Sequence, residues 1–166
     1  VVASSAVWRG VVEPATFSDR LARLTAEIKR MRTTTRSGWI GTQDDASGYL
    51  GQLNGGTWRS AGAEAPAQVV DAFLDTHGAA LFGVGTADLR RTAGATALGS
   101  SVVIRADQVR GTVPVVDGRL LLTVGGPDKD TLTDVRGRTF GDLEVDTTPG
   151  MSASQAVAKA GSGLAG

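Results

Sequence analysis

The sequence predicts an α+β fold in which a helix packs on an antiparallel sheet, and three observations carry that expectation. Between Pro66 and Phe82 the apolar residues Val69, Val70, Phe73, Leu74 and Leu81 share one helical face, and His77 lies among them. From Val102 onward the period changes to two, with Val102, Ile104 and Ala106 alternating against Val103 and Arg105. The chain has 166 residues, 41% of them hydrophobic, which suits one domain with a real core or one domain and the start of another.

Val7-Trp8-Arg9-Gly10-Val11-Val12 reads as a short strand. Phe17, Leu21, Leu24, Ile28 and Met31 then form one apolar stripe at helical spacing, predicting an amphipathic helix over 17–32. Thr16 or Ser18 can cap it, Asp19 suits its first turn, and the β-branched run Thr33-Thr34-Thr35 is expected to end it. From Ser37 to Gly62, Trp39-Ile40, Tyr49-Leu50 and Thr57-Trp58-Arg59 read as short strands, with Asn54-Gly55 as a turn. Residues 1–62 are therefore set apart as a helix with short strands, and Ser60–Ala65 reads as a linker.

Residues 63–146 form the predicted helix-plus-sheet domain. Pro66 suits the first helical position, Gly83 the stop, and Gly78 weakens the helix by about 1 kcal/mol relative to Ala and invites a bend. Val113–Val116 and Leu120–Val124 read as two strands hinged at the hairpin dipeptide Asp117-Gly118. Pro114 has no N–H to give a ladder, so its strand is expected at an edge or a bulge. Leu132–Val135 and Thr139-Phe140 are further strands. Ser152-x-x-Gln155 is a capping box that opens a helix, and residues 147–166 read as the truncated start of a second α+β module. The expected core includes Leu21, Leu24, Ile28, Val70, Phe73, Leu74, Leu81, Val102, Ile104, Leu120 and Leu122.

Charge and composition exclude several functions. Seventeen basic residues balance 17 acidic ones, so there is no global field for nucleic acid or an anionic membrane. No apolar run approaches the roughly 18–20 residues that cross a bilayer, so a soluble chain is expected. With no cysteine and one histidine, disulfides, thiolate sites and two-histidine metal sites are excluded. His77 shares a face with Phe73 and Leu81 and has no nucleophile elbow beside it, so a structural role outweighs a general base. Asp128-Lys129-Asp130 with Asp134 hints at a calcium loop, but Thr133 and Thr139 stand where Gly and Glu are required. Gly83-Val84-Gly85 follows a helix and has Asp88 at the third glycine position, so it is no nucleotide fingerprint. The basic side of the first helix, from Arg20 to Arg36, reads as a solvated outer face.

Three stretches together resemble the fungalysin/thermolysin propeptide domain. Pro66-Ala-Gln-Val-Val-Asp-Ala-Phe-Leu-Asp-Thr-His-Gly-Ala-Ala-Leu-Phe-Gly83 with Ala87-Asp88-Leu89 is similar to its helix and exit turn. Gln108, a turn, Val113-Pro114-Val115 and Gly118 stand at the spacing of its central hairpin. Thr147–Val157 is similar to the entry into the PepSY module that follows in such propeptides, and Ser47–Gly51 to an early strand. The likeness spans about residues 39–157 and is densest over 66–124, with Val109-Arg110 departing from the family's usual aromatic.

The resemblance implies the N-terminal propeptide of a secreted zinc metalloprotease. Such a segment is non-catalytic and serves as intramolecular chaperone and inhibitor of the catalytic domain, its expected partner. Zinc and calcium would belong to that downstream domain, so no cofactor is expected in this chain. The Gln108–Val124 hairpin is expected to form part of the partner surface, with Gln108, Val113, Pro114 and Val115 as its candidate residues. A free-standing extracellular binding module is the alternative.

Overall fold

The computed structural model describes residues 16–62, 65–92, 95–143, 150 and 152–163. The strand expected at 7–12 lies outside them, as do parts of the 60–65 linker and of the 147–157 stretch. The fold is α+β, with an eight-stranded antiparallel sheet and helices on one of its faces.

Helix α1 (Phe17–Thr35) begins at a capping box in which Thr16 Oγ1 accepts from Asp19 N–H and Asp19 Oδ2 accepts from Thr16 N–H. It runs through the threonines expected to end it. The hydroxyls of Thr33, Thr34 and Thr35 donate to the carbonyls of Lys29, Arg30 and Met31, so the run lies inside the last turns. Helix α1 ends where Arg36 turns left-handed. Leu24, Ile28 and Met31 are buried, whereas Leu21, expected in the core, is 46% exposed, as is Phe17. The stripe is real, but its first turns overhang the sheet.

The sheet runs β1 (Ile40–Gln43), β2 (Leu50–Asn54), β8 (Thr131–Arg138), β7 (Val113–Gly125), β6 (Ser101–Arg110), β4 (Leu89–Arg91). Strand β3 (Trp58–Arg59) pairs with β8 beyond β2, and β5 (Thr96–Leu98) pairs with β6 beyond β4. The strands before residue 62 therefore belong to the same sheet as those after residue 63. The Asn54-Gly55 turn, with φ +76° at Gly55, is a step between two strands that dock on β8, not a hairpin.

Between 66 and 82 the helix changes pitch. Helix α2 (Pro66–Phe73) passes into a π-helical turn (Leu74–Gly78) and then α3 (Ala79–Phe82), which stops at Gly83 with φ +65°. A Cβ on Gly78 would sit 2.7 Å from the Val84 carbonyl oxygen, so the widened turn occupies space that only glycine leaves. A 3₁₀ turn (Thr86–Asp88) leads to β4.

The Asp117-Gly118 hairpin expectation is corrected. Strand β7 runs unbroken from Val113 to Gly125, and Asp117, at φ 61°, forms a bulge inside it. The β6–β7 turn is Gly111-Thr112, between Arg110 and its partner Val113. Among the described residues Pro114 does lie on an edge: β7 pairs with β8 only from Arg119, so Val113 and Pro114 are paired with β6 alone. Thr139-Phe140 is not a strand.

One core cluster joins α1 (Leu24, Ile28, Met31), α2 to α3 (Val70, Phe73, Leu74, Leu81) and the inner sheet face (Val102, Ile104, Leu120, Leu122, Val135). Trp39, just before β1, and Leu50 and Leu53 of β2 are fully buried in it. Helix α4 (Ala153–Gly163) opens with the expected box, Gln155 Oε1 accepting from Ser152 N–H at 2.8 Å and Ser152 Oγ from Gln155 N–H at 3.3 Å. Its Val157 is 73% exposed.

Candidate functional site

Strand β6 carries Gln108 on the inner face, where it is fully buried. Its side-chain amide acts like a short stretch of neighbouring strand. Nε2 donates to the Phe140 carbonyl at 2.9 Å, and Oε1 accepts the Phe140 N–H at 2.9 Å. Gly118 makes room for this reach, because a Cβ there would lie 2.8 Å from both Cβ and Oε1 of Gln108. Gln108 is therefore no accessible partner-binding group: its hydrogen-bonding capacity is spent inside the domain. It positions the hairpin that carries the other three candidates.

Those three lie together at the hairpin tip. Val113 is 44% exposed, Pro114 is exposed and Val115 half-buried, with Val116 beside them 83% exposed. The tip presents apolar side chains on a strand whose far edge has no neighbour among the described residues, an arrangement that can take an added strand from a partner.

The chain leaving β8 is fastened at four successive residues. Thr139 Oγ1 donates to the Phe82 carbonyl at 2.7 Å, and Phe140 is held by Gln108. Arg110 Nη2 donates to the Gly141 carbonyl at 2.6 Å while its Nη1 bonds Asp88 at 2.9 Å. Asp142 accepts from the Tyr49 hydroxyl at 2.9 Å and from Arg20 of α1. The hairpin base, the exit segment and the first turns of α1 are thus tied to one another.

His77 occupies the π-helical turn and is buried, 3% exposed. Its Nδ1 donates to Glu27 Oε1 of α1 at 2.6 Å, since a carboxylate can only accept. Arg30 grips the same carboxylate through Nε at 2.9 Å and Nη2 at 2.5 Å. Burial pushes the Glu27 carboxyl up, but the hydrogen bonds from Arg30 and His77 outweigh it and hold it below the ordinary range. His77 Nε2 is sealed from solvent without a hydrogen-bond partner among the described residues, while Trp58 meets the ring edge-on and Phe73 at a tilt, with centroids at 5.8 and 5.1 Å. A base needs its nitrogen open to substrate; this one fastens α1 to the helix pair.

The acidic residues of the calcium-like loop point elsewhere. Asp130 pairs with Arg59 at 3.3 Å and Asp134 with Arg136 at 3.0 Å, and among the described residues no group of three or more metal-ligating side chains converges. Of the basic face of α1, Arg20 and Arg30 are engaged as above, and Arg32 Nε donates to the Trp39 carbonyl at 2.5 Å. No described helix is long and apolar enough to cross a membrane.

Sequence reading missed the outer face of the sheet. Pairing aligns Arg90, Asp107, Arg119 and Arg138 in one row across β4, β6, β7 and β8, and Arg105, Leu121 and Arg136 in the next. The alternation at 103–107 and 119–123 marks these positions as outward-facing, but only the register brings the arginines side by side. Set beside known proteins, the chain matches no protein-family model, no curated protein and no solved structure.

Proposed function

We propose that this chain is the N-terminal propeptide of a secreted thermolysin-like zinc metalloprotease, non-catalytic itself, which assists folding of the catalytic domain and inhibits it. The observation that supports this reading is the Gln108–Gly118–Phe140 interlock. The residues that prompt the resemblance sit in the order glutamine, turn at Gly111-Thr112, Val-Pro-Val at the exposed tip, and glycine beneath the glutamine side chain. Spacing that looks arbitrary in the sequence has a mechanical reason in the fold: it builds a hairpin whose base is locked and whose tip is offered. A surface of that kind acts by complementarity, stabilising the partner state it fits over roughly 1,600 Å² of buried area.

The test is inhibition in trans, titrating the purified chain against its own downstream catalytic domain or a mature thermolysin-like protease. Saturable inhibition accompanied by slow degradation of the chain is expected. A folded chain that leaves the protease fully active, alone and when extended through the following module, would overturn the reading in favour of a free-standing extracellular binding module. Sequencing the precursor is an independent check: the propeptide reading requires a downstream H-E-x-x-H with a further glutamate ligand.

A further inference from the structure

The outer face of the sheet is a two-layer charge surface. Its carboxylates are short and lie low: the side chains of Asp44, Asp134 and Asp107 are 14%, 19% and 33% exposed. Its guanidinium groups stand above them, with the side chains of Arg105, Arg138, Arg119 and Arg136 at 42%, 42%, 50% and 64%. Each arginine turns its Nε to a carboxylate beneath it: Arg105 and Arg119 to Asp107 at 2.9 and 3.1 Å, Arg136 to Asp134 at 3.0 Å, and Arg138 to Asp44 at 3.0 Å. These three acids thus fix the arginines in place, and each arginine stays more exposed than the acid it bonds. At the centre lies a shallow depression of about 510 Å³ lined by Leu121, 40% exposed, with Arg119, Arg136 and Arg138 around it and the carboxylates of Asp44 and Asp117 at its margin.

We propose that this face seats an acidic, carboxylate-bearing protein surface; on the reading above, that surface belongs to the protease domain. Charge complementarity argues for this occupant. Apart from Asp117, exposed at the rim, the carboxylates of this face lie below the guanidinium groups that an approaching partner meets. Arginine forks held by a carboxylate on one side lose little freedom when they bind a second carboxylate on the other. An apolar floor ringed by arginine is also the composition of an interface centre.

The test uses the whole chain and a fluorescein-labelled deca-glutamate peptide, followed by anisotropy at rising sodium chloride. Binding that weakens with salt is expected, and Arg119→Gln/Arg136→Gln should weaken it about tenfold at low salt. The control pair Arg23→Gln/Lys29→Gln on α1 should change it less than about twofold. Leu121→Glu, which places a like charge at the centre, should weaken it as much as the arginine pair and guards against a folding artefact. No salt-dependent binding, or equal loss from the face and control variants, overturns the proposal. Running the same variants in the protease titration separates the two readings. A chain that binds the peptide through this face but leaves the protease uninhibited removes the propeptide reading alone. Inhibition that survives the face variants removes this surface alone.

Discussion

Replacing Gln108 by leucine tests whether this glutamine is an internal fastener or a partner-binding group. Leucine fills a similar volume on the inner face of β6 but cannot bond Phe140. Two hydrogen bonds of 2.9 Å disappear, and the Phe140 N–H and C=O lose their partners. At about 1 kcal/mol net for each bond, with a further penalty where water cannot replace it, the expected loss is about 2–4 kcal/mol. Against a usual stability of about 5–15 kcal/mol this is a large fraction, and urea unfolding followed by tryptophan fluorescence measures it directly. The slope of the transition should stay constant while its midpoint falls. Val113→Ala, at the exposed tip of the same hairpin, should shift stability by less than about 0.5 kcal/mol and serves as the internal control. A Gln108→Leu loss below about 0.5 kcal/mol would refute the interlock, because a buried amide holding both backbone groups of Phe140 cannot be both essential and free to remove.

Phe73→Ala empties a fully buried site against Trp58 and should cost about 3–5 kcal/mol in the same assay, with less than about 1 kcal/mol excluding the assigned helix face. Gly137→Ala forces a Cβ onto the Arg119 carbonyl at a φ of +148°, so this variant should fail to fold, as judged by loss of the cooperative thermal transition. Glu27→Gln should destabilise by about 1.5–3 kcal/mol at neutral pH, since it leaves half-exposed Arg30 and buried His77 beside an uncharged amide. Its pH dependence has a defined sign. The folded-state pKa of Glu27 is depressed, so its stabilisation is complete above the unfolded value near about 4.3 and is lost as pH falls through the folded value. Asp44 and Asp107, whose burial is outweighed by their arginine partners, act in the same direction. The difference between wild type and Glu27→Gln should therefore shrink in acid, which denaturation at stepped pH will show.

Periodicity made the helix faces and the alternating strands legible, since 3.6 and 2 are properties of the chain itself. What it could not supply was register. Asp117-Gly118 carries the chemistry of a hairpin turn, yet the same left-handed allowance also serves a bulge. Only the pairing of Arg119 with Arg138 on one side and Asp107 on the other decides between them. The turn lies at Gly111-Thr112 instead, between Arg110 and its partner Val113. Leu21 continues a faultless stripe but lies beyond the part of α1 that the sheet covers, so spacing alone could not reveal its exposure. His77 was legible as a structural residue on an apolar face. Its partner Glu27 was not, because two helices had to be docked before an acid 50 positions away could meet it. The arginine layer was hidden for the same reason.

The place of β8 in the sheet has a consequence for the order in which the molecule is assembled. Strands β2 and β3 are made early, yet both complete their pairing on β8, at the other end of the domain. Until residues 131–138 emerge, Leu53 can pair only with Gly41 of β1 and Trp58 has no strand to pair with. Contacts of such long sequence separation close loops late and slow folding. In a nascent chain the second edge of β2 and the whole of β3 therefore stay without their sheet partner until β8 arrives.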